Sequence, residues 1–164
     1  ATSFANLLNC RFLQANAITD LYGVEYCAVI KNIIAIACGI TRGLGFGDNF
    51  QAVLVSNAMQ EIKIFLDAVY PEAKRDLNSS GYLGDLLVTA YSQFSRNRTF
   101  GNMIGRGYSV KSAQIEMNMI AEGYYAVRSI YSISRQHNIH LPIIEAVYNI
   151  VYDKANPQVE MNKL

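Results

Sequence analysis

The sequence has no basic run and no acidic tail, and its net charge is +1. That balance gives no electrostatic reason to expect nucleic acid or an anionic membrane surface as a partner. Only 16% of residues are charged while 51% are hydrophobic, a composition that excludes disorder. The longest apolar run is broken by Lys31-Asn32 and falls short of the roughly 20 residues a membrane-crossing helix needs, so no membrane insertion is expected. No basic segment followed by an apolar block stands at the start, so no signal peptide is expected there. The chain opens without Met and in mid-pattern, which suggests a piece of a longer polypeptide.

Cysteine and histidine are scarce as well. Cys10, Cys27 and Cys38 are odd in number and lack C-x-x-C spacing, and two of them fall in an apolar helical stretch, where free Cys behaves as a small hydrophobe. A reducing, cytoplasmic compartment is the expectation. His137 and His140 have no further ligands grouped near them, so no metal site is expected.

Three prolines, at 71, 142 and 157, leave long stretches of helical pattern between them. Residues 25–41 read as a buried helix, followed by the Gly-rich turn "RGLGFGDN", whose Asp48 or Asn49 can cap the next helix. Val53, Ala58, Ile62, Phe65, Leu66 and Val69 recur at helical spacing and predict a helix over 50–69, ended by Pro71. A polar stretch, "KRDLNSSGYLGD", leads into the shorter apolar segment "LLVTAYSQF". Ser95 and Ser109 sit at N-cap positions of two further helices. Residues 122–137 and 142–153 complete the set, the last opening on Pro142. "CRFLQAN", at 10–16, is the one strand-like run. The glycines of "GLGFG" follow a helix and lack the spacing of a dinucleotide fingerprint, so they read as an interhelical turn. The predicted class is all-α, with seven or eight helices and one stray strand.

Within the apolar stretch "EYCAVIKNIIAIACGI", Lys31 and Asn32 demand explanation. The helical neighbours of Lys31 are Cys27, Ala28, Ile34 and Ala35, so no carboxylate on its own helix can pair with it. Lys31 could carry its head to water along apolar neighbours. Alternatively it points into a cleft, where partial loss of water makes it a usable general acid/base and a carboxylate from elsewhere must stand close. Asp85 and Thr89 share a helix face, with apolar residues around them. Asp85 reads either as an acid favoured by a helix N-terminus or as a pocket carboxylate. "SRNR" puts Ser95, Arg96, Asn97 and Arg98 at a helix start, either as an exposed basic turn or as an anion clamp of backbone N–H groups and guanidinium. A lysine, a carboxylate and a phosphate-type clamp in one helical domain suit a phosphorylated alcohol or ketone.

With these residues in view, the chain resembles the C-terminal helical domain of the NAD(P)-dependent glycerol-3-phosphate dehydrogenases, a 6-phosphogluconate-dehydrogenase-like fold. The resemblance rests on "GVEYCAVIKNIIAIACGITRGLGFGDN", "LGDLLVTAYSQFSRNRTFG", "AEGYYAV" and "LPIIEAVY", and runs from about residue 20 to the C-terminus. It implies that Lys31 is the proton acceptor for the C2 hydroxyl of sn-glycerol 3-phosphate as hydride leaves for the nicotinamide of NAD or NADP. It further implies that Asp85 lines the substrate pocket with Asn32 and Thr89. By the same resemblance, Ser95, Arg96 and Asn97 hold the substrate, chiefly by its phosphate. Arg96, Ile120 and Glu122 would contact the dinucleotide. The product, dihydroxyacetone phosphate, and its reversal to the glycerophospholipid precursor follow from the same likeness, as does a homodimer.

The resemblance also implies a dinucleotide-binding Rossmann domain ahead of this one, of which residues 1–19 would be the closing helix and strand and 20–164 the helical partner. On that reading the helical domain is inactive by itself. Two other readings keep the architecture: the helical domain of a β-hydroxyacid or 6-phosphogluconate-type dehydrogenase, and a non-catalytic dimerisation module presenting its tyrosines. The "SRNR" clamp favours a small phosphate ester over a carboxylate substrate.

Overall fold

The computed structural model describes residues 1–71, 75–117 and 119–164. Among them are nine α-helices, one or two more than the periodicity predicts: α1 (Thr2–Leu8), α2 (Leu21–Gly43), α3 (Asp48–Val69), α4 (Asp85–Tyr91), α5 (Arg96–Gly105), α6 (Val110–Glu116), α7 (Glu122–Gln136), α8 (Pro142–Val151) and α9 (Pro157–Met161). A single π-helical turn, Ser80–Gly84, runs straight into α4.

The core is built around α2. Cys27, Ile30, Ile33, Ile34, Ile36, Ala37, Cys38 and Ile40 are all essentially inaccessible, and α3, α4, α5, α7 and α8 pack around them. By length and apolar composition α2 could cross a bilayer, despite the Lys31-Asn32 break. From Ile30 to Ile40 its apolar residues are instead covered by the other helices, as expected of a central core helix. Both cysteines of α2 are buried as small apolar residues, and burial pushes each thiol up to about 12.

The contact between α2 and α5 is unusually close, and glycine is the reason. A Cβ at Gly39 would run into the Arg98 carbonyl, one at Gly43 into the Asn102 carbonyl, one at Gly101 into the Ile36 carbonyl and one at Gly105 into the Ile40 carbonyl. The pairings run in the same order along both helices, so α5 lies parallel to α2 with backbone against backbone. The sequence signal was present in "GITRG" and "GNMIG", each a pair of glycines four residues apart on one helix face.

Two expectations are corrected. Residues 10–16 form no strand: Cys10 and Leu13 make an isolated antiparallel bridge within a tight turn, with no neighbouring strand among the described residues. Ahead of it, α1 leaves Phe4, Leu7 and Leu8 exposed, and Phe12 is 88% exposed. Neither Asp48 nor Asn49 caps α3: the N-cap is Gly47, and Asp48 is the first helical residue, its carboxylate 3.4 Å from the Arg42 guanidinium. Ser95 and Ser109 do cap their helices, accepting from the N–H groups of Arg98 and Ser112. The helix ahead of Pro71 ends at Val69, and Pro142 opens α8. Lys74, first residue of the polar stretch, lies outside the described residues.

Candidate active site

Lys31 sits mid-way along α2 with its side chain 20% exposed, and Asp85 opens α4. Nζ donates to both Asp85 carboxylate oxygens, each at 2.6 Å. The carboxylate that the cleft reading requires is therefore present, supplied by a helix far away in sequence. A partly shielded ammonium held by both oxygens of an acid is a stronger contact than a surface pair, because fewer waters compete for either group. Thr89 lies one turn further along α4, its hydroxyl donating to the Asp85 carbonyl at 2.8 Å, so its lone pairs remain available.

The second residue of the pair, Asn32, faces a different partner. Its Nδ2 donates to the Ala28 carbonyl at 3.2 Å, and its Oδ1 accepts from Asn97 Nδ2 at 3.0 Å. Asn97 in turn accepts the Gly123 N–H at 2.8 Å on Oδ1. This chain of amides joins α2, α5 and the start of α7 in one interior bridge. It works only because residue 123 is glycine: a Cβ there would lie 2.6 Å from the Asn32 carbonyl oxygen. Asn97 is buried, with one amide hydrogen and its oxygen already committed. The sequence left Asn97 either in an exposed basic turn or in an anion clamp; the structure buries it and joins it to Asn32 and Gly123. The Gly123 N–H was not foreseen, since a backbone donor has no sequence signature.

Around that bridge stand the remaining members of the predicted set. Ser95 caps α5, and its Oγ accepts the Arg98 N–H at 3.3 Å. Arg96 is exposed; its guanidinium reaches Glu122 Oε1 at 3.2 Å and the Met119 sulfur at 3.9 Å. Both members of the Arg96–Glu122 pair are largely open to water, so the pair holds them only weakly. Ile120 is 63% exposed beside Met119, on the segment leading into α7. A cavity of about 280 Å³ opens there, lined by Phe100, Met117, Met119, Ile120, Tyr124 and Tyr125. Two groupings result, Lys31–Asp85–Thr89 and Ser95–Arg96–Ile120–Glu122, linked through Asn32 and Asn97.

The histidines stay outside. His137 is exposed, and His140 Nδ1 lies 3.1 Å from Glu145 Oε1. Among the described residues no group of three His, Cys, Asp or Glu side chains could hold a metal ion.

The all-α arrangement has a counterpart in one half of a solved dehydrogenase. The structure of glycerol-3-phosphate dehydrogenase from Coxiella burnetii matches 99% of this chain and 50% of its own, with a TM-score of 0.90 and 31% identity. The glycerol-3-phosphate dehydrogenase [NAD(P)+] of Staphylococcus carnosus is 42% identical over 93% of this chain and 46% of its own length. That of Pelodictyon phaeoclathratiforme is 43% identical over 83% of this chain and 40% of its own. The chain thus spans less than half the length of the curated relatives it matches. Residues 20–162 match the family described as NAD-dependent glycerol-3-phosphate dehydrogenase C-terminus, and the chain belongs to that family.

Proposed function

We propose that this chain is the substrate-binding and proton-transfer half of a cytoplasmic glycerol-3-phosphate dehydrogenase, interconverting sn-glycerol 3-phosphate and dihydroxyacetone phosphate. The observation that carries the reading is the Lys31 ammonium held at 2.6 Å by both oxygens of Asp85 at the edge of the buried helix. In the reducing direction Lys31 donates a proton to the carbonyl oxygen at C2; in the oxidising direction it takes the proton of the C2 hydroxyl. Asp85 keeps the Lys31 amine aimed and compensates its charge. Asn32 and Thr89 orient the substrate's hydroxyl groups, and Asn97 holds Asn32 and the clamp in register. Ser95 and Arg96 take the phosphate, for which a guanidinium offers planar paired donors.

The residues present suit a dinucleotide: the exposed Arg96 guanidinium provides for an anionic group, and the apolar, aromatic cavity at Met119 and Ile120 provides for a flat ring. Arg96, Ile120 and Glu122 would hold it there. NAD or NADP, when bound, supplies the hydride chemistry at C2. On this reading a Rossmann domain of the same polypeptide is the partner that carries most of the cofactor, residues 1–19 being its closing segment. The exposed Phe4, Leu7 and Phe12 favour such a neighbour. A homodimer completes the reading.

The test is reduction of dihydroxyacetone phosphate by NADH and NADPH, with full-length protein and with this chain alone. Turnover by the full-length protein and none by the chain alone is expected. A full-length protein that reduces 3-keto acids but not dihydroxyacetone phosphate would overturn the substrate assignment, and appreciable turnover by the isolated chain would overturn its dependence on a second domain.

A further inference from the structure

Asp20 stands at the N-cap of α2, about three turns ahead of Lys31. Its carboxylate is saturated. Oδ1 accepts the Gly23 N–H at 3.0 Å and an Arg75 Nη2–H at 3.4 Å; Oδ2 accepts from Arg75 Nε and from the Tyr82 hydroxyl, both at 2.5 Å. Room for that carboxylate exists because residue 23 is glycine, where any Cβ would collide with Oδ2. Tyr82 is 3% exposed and belongs to the π-helical turn that feeds directly into Asp85.

One short segment therefore makes two polar tethers to α2: Tyr82 to the residue that caps it, and Asp85 to the lysine in its middle. Along α2, Asp20 and Lys31 are separated by a rise of about 16 Å, whereas Tyr82 and Asp85 are separated by about 5 Å. The long side chains of Tyr82, reaching Asp20, and of Lys31, reaching Asp85, span the difference. Gly81 seats the turn against Ile18 and Val24, each 3.8 Å from where its Cβ would be. A π-helical turn costs hydrogen-bond quality relative to α and persists where the surroundings fix it; here it lets Tyr82 and Asp85 both face α2.

We infer that Asp20 and Tyr82 form a positioning clamp for the Lys31–Asp85 pair, setting where the proton-transferring amine stands. The inference rests on the assignment of proton transfer to that pair, and neither clamp residue touches the reacting atoms. The chemistry of the clamp is consistent with this. Its hydrogen bond from Arg75 holds the Asp20 carboxyl below the usual carboxylate range, so it is an anion at neutral pH. Burial and the bond to Asp20 push Tyr82 up to about 12, so it remains a donor. The bond thus stays made across the neutral range, as a positioning contact requires. Removing the Tyr82 hydroxyl frees the turn to shift along α2 without emptying the space its ring fills.

The test uses full-length protein carrying Tyr82→Phe, Asp20→Asn, Asp85→Asn, or Tyr82→Phe with Asp85→Asn. Two readouts are taken: acetylation of Lys31 by limiting acetic anhydride, followed by mass spectrometry with exposed Lys111 as internal reference, and steady-state reduction of dihydroxyacetone phosphate. Acetylation requires a neutral amine free to approach the anhydride, which a nitrogen engaged with both oxygens of Asp85 is not, so Tyr82→Phe is expected to raise Lys31 acetylation several-fold against Lys111. It should lower kcat about 10-fold while KM changes little. In the Asp85→Asn background the same substitution should have no further effect, because its route of action is gone. Asp20→Asn, which keeps the size but leaves one acceptor oxygen for donors that now fill two, should show the same pattern at least as strongly. Unchanged Lys31 acetylation in Tyr82→Phe overturns the clamp even if the enzyme is active, and so does a kcat loss that adds independently to that of Asp85→Asn. Raised acetylation in a protein that never reduces dihydroxyacetone phosphate supports the clamp and refutes the substrate assignment instead.

Discussion

Lys31 and Asp85 are 54 residues apart in the chain, yet the lysine Nζ lies 2.6 Å from each of the aspartate's oxygens. The pair joins the most buried helix of the molecule to the start of a short, half-covered one. It explains how an ammonium can sit on so apolar a helix: the charge is met by an acid and by partial access to water rather than left alone.

Replacing Lys31 with alanine in the full-length protein should cost about 10²–10⁴ in kcat for dihydroxyacetone phosphate, the usual range for losing a general acid. Because the Asp85 carboxylate left behind is itself 36% exposed and can be hydrated, the fold should survive. Steady-state rates together with far-UV circular dichroism check both statements; a near-normal kcat in a folded variant would remove Lys31 from the chemistry.

Arg96→Ala should act on binding alone. Its ion pair with Glu122 is exposed on both sides and contributes little to stability. Loss of a charge-assisted contact to phosphate should raise KM by about 10- to 100-fold, while the thermal midpoint stays close to wild type. Measuring KM and melting temperature on one preparation separates this from a folding defect.

Asn97→Ala should destabilise the domain by about 1–3 kcal/mol, because it leaves the Gly123 N–H and the Asn32 side-chain oxygen unpaired in the interior. Asn97→Asp should not rescue it: the acid still accepts from Gly123 but sets an oxygen against the Asn32 oxygen. Urea unfolding of the three proteins, compared at constant m-value, is the measurement.

Gly101→Ala should cost at least about 1–3 kcal/mol, since its methyl group would enter the Ile36 carbonyl and push α5 off α2. The same displacement moves Ser95 and Arg96 on the other end of α5, so binding of the phosphate substrate should weaken with stability. A variant as stable as wild type would show that the two helices can part without cost.

Glu61 gives a prediction about pH. It is buried in α3, and it accepts the N–H groups of Ile143 and Ile144 at 2.7 and 3.3 Å, at the start of α8. Burial raises its pKa to about 7, partly offset by those two hydrogen bonds. The folded state therefore holds the Glu61 proton more tightly than the unfolded chain does. Its contribution to stability is full below the ordinary value near 4.5 and is lost as pH rises to about 7, by up to about 3 kcal/mol. Glu61→Gln should flatten that part of the stability–pH curve. Chemical denaturation at pH 5 and pH 7.5 on both proteins tests it, and a wild-type curve that rises across this window would contradict the shift.

The helix α3 was legible from periodicity because it buries one face, whose apolar residues follow a 3.6-residue rhythm, while α2 was legible as a near-continuous apolar stretch because other helices cover it on several sides. Capping was legible at Ser95 and Ser109, where the chemistry is local, and failed at Asp48, where glycine takes the cap and the acid turns toward Arg42. A helix was expected near the N-terminus, where α1 lies, whereas the short α9 escaped notice, since so few turns leave no period to detect. The strand-like residues 10–16 did not become a strand, because alternation prepares a strand but only a partner makes one.

The sequence by itself determined the all-α class, the anomaly of a lysine and an asparagine on an apolar helix, and the family likeness carried by "KN", "GDL" and "SRNR". These are matters of composition and local spacing, which the chain states directly. Only the tertiary structure decided that Asp85 is the acid that meets Lys31, that Asn97 turns inward to Asn32 and Gly123, and that glycines bring α5 against α2. Each of these joins residues far apart along the chain. Such a pairing is selected by how helices pack rather than by any neighbour in sequence, so the linear order alone leaves it open.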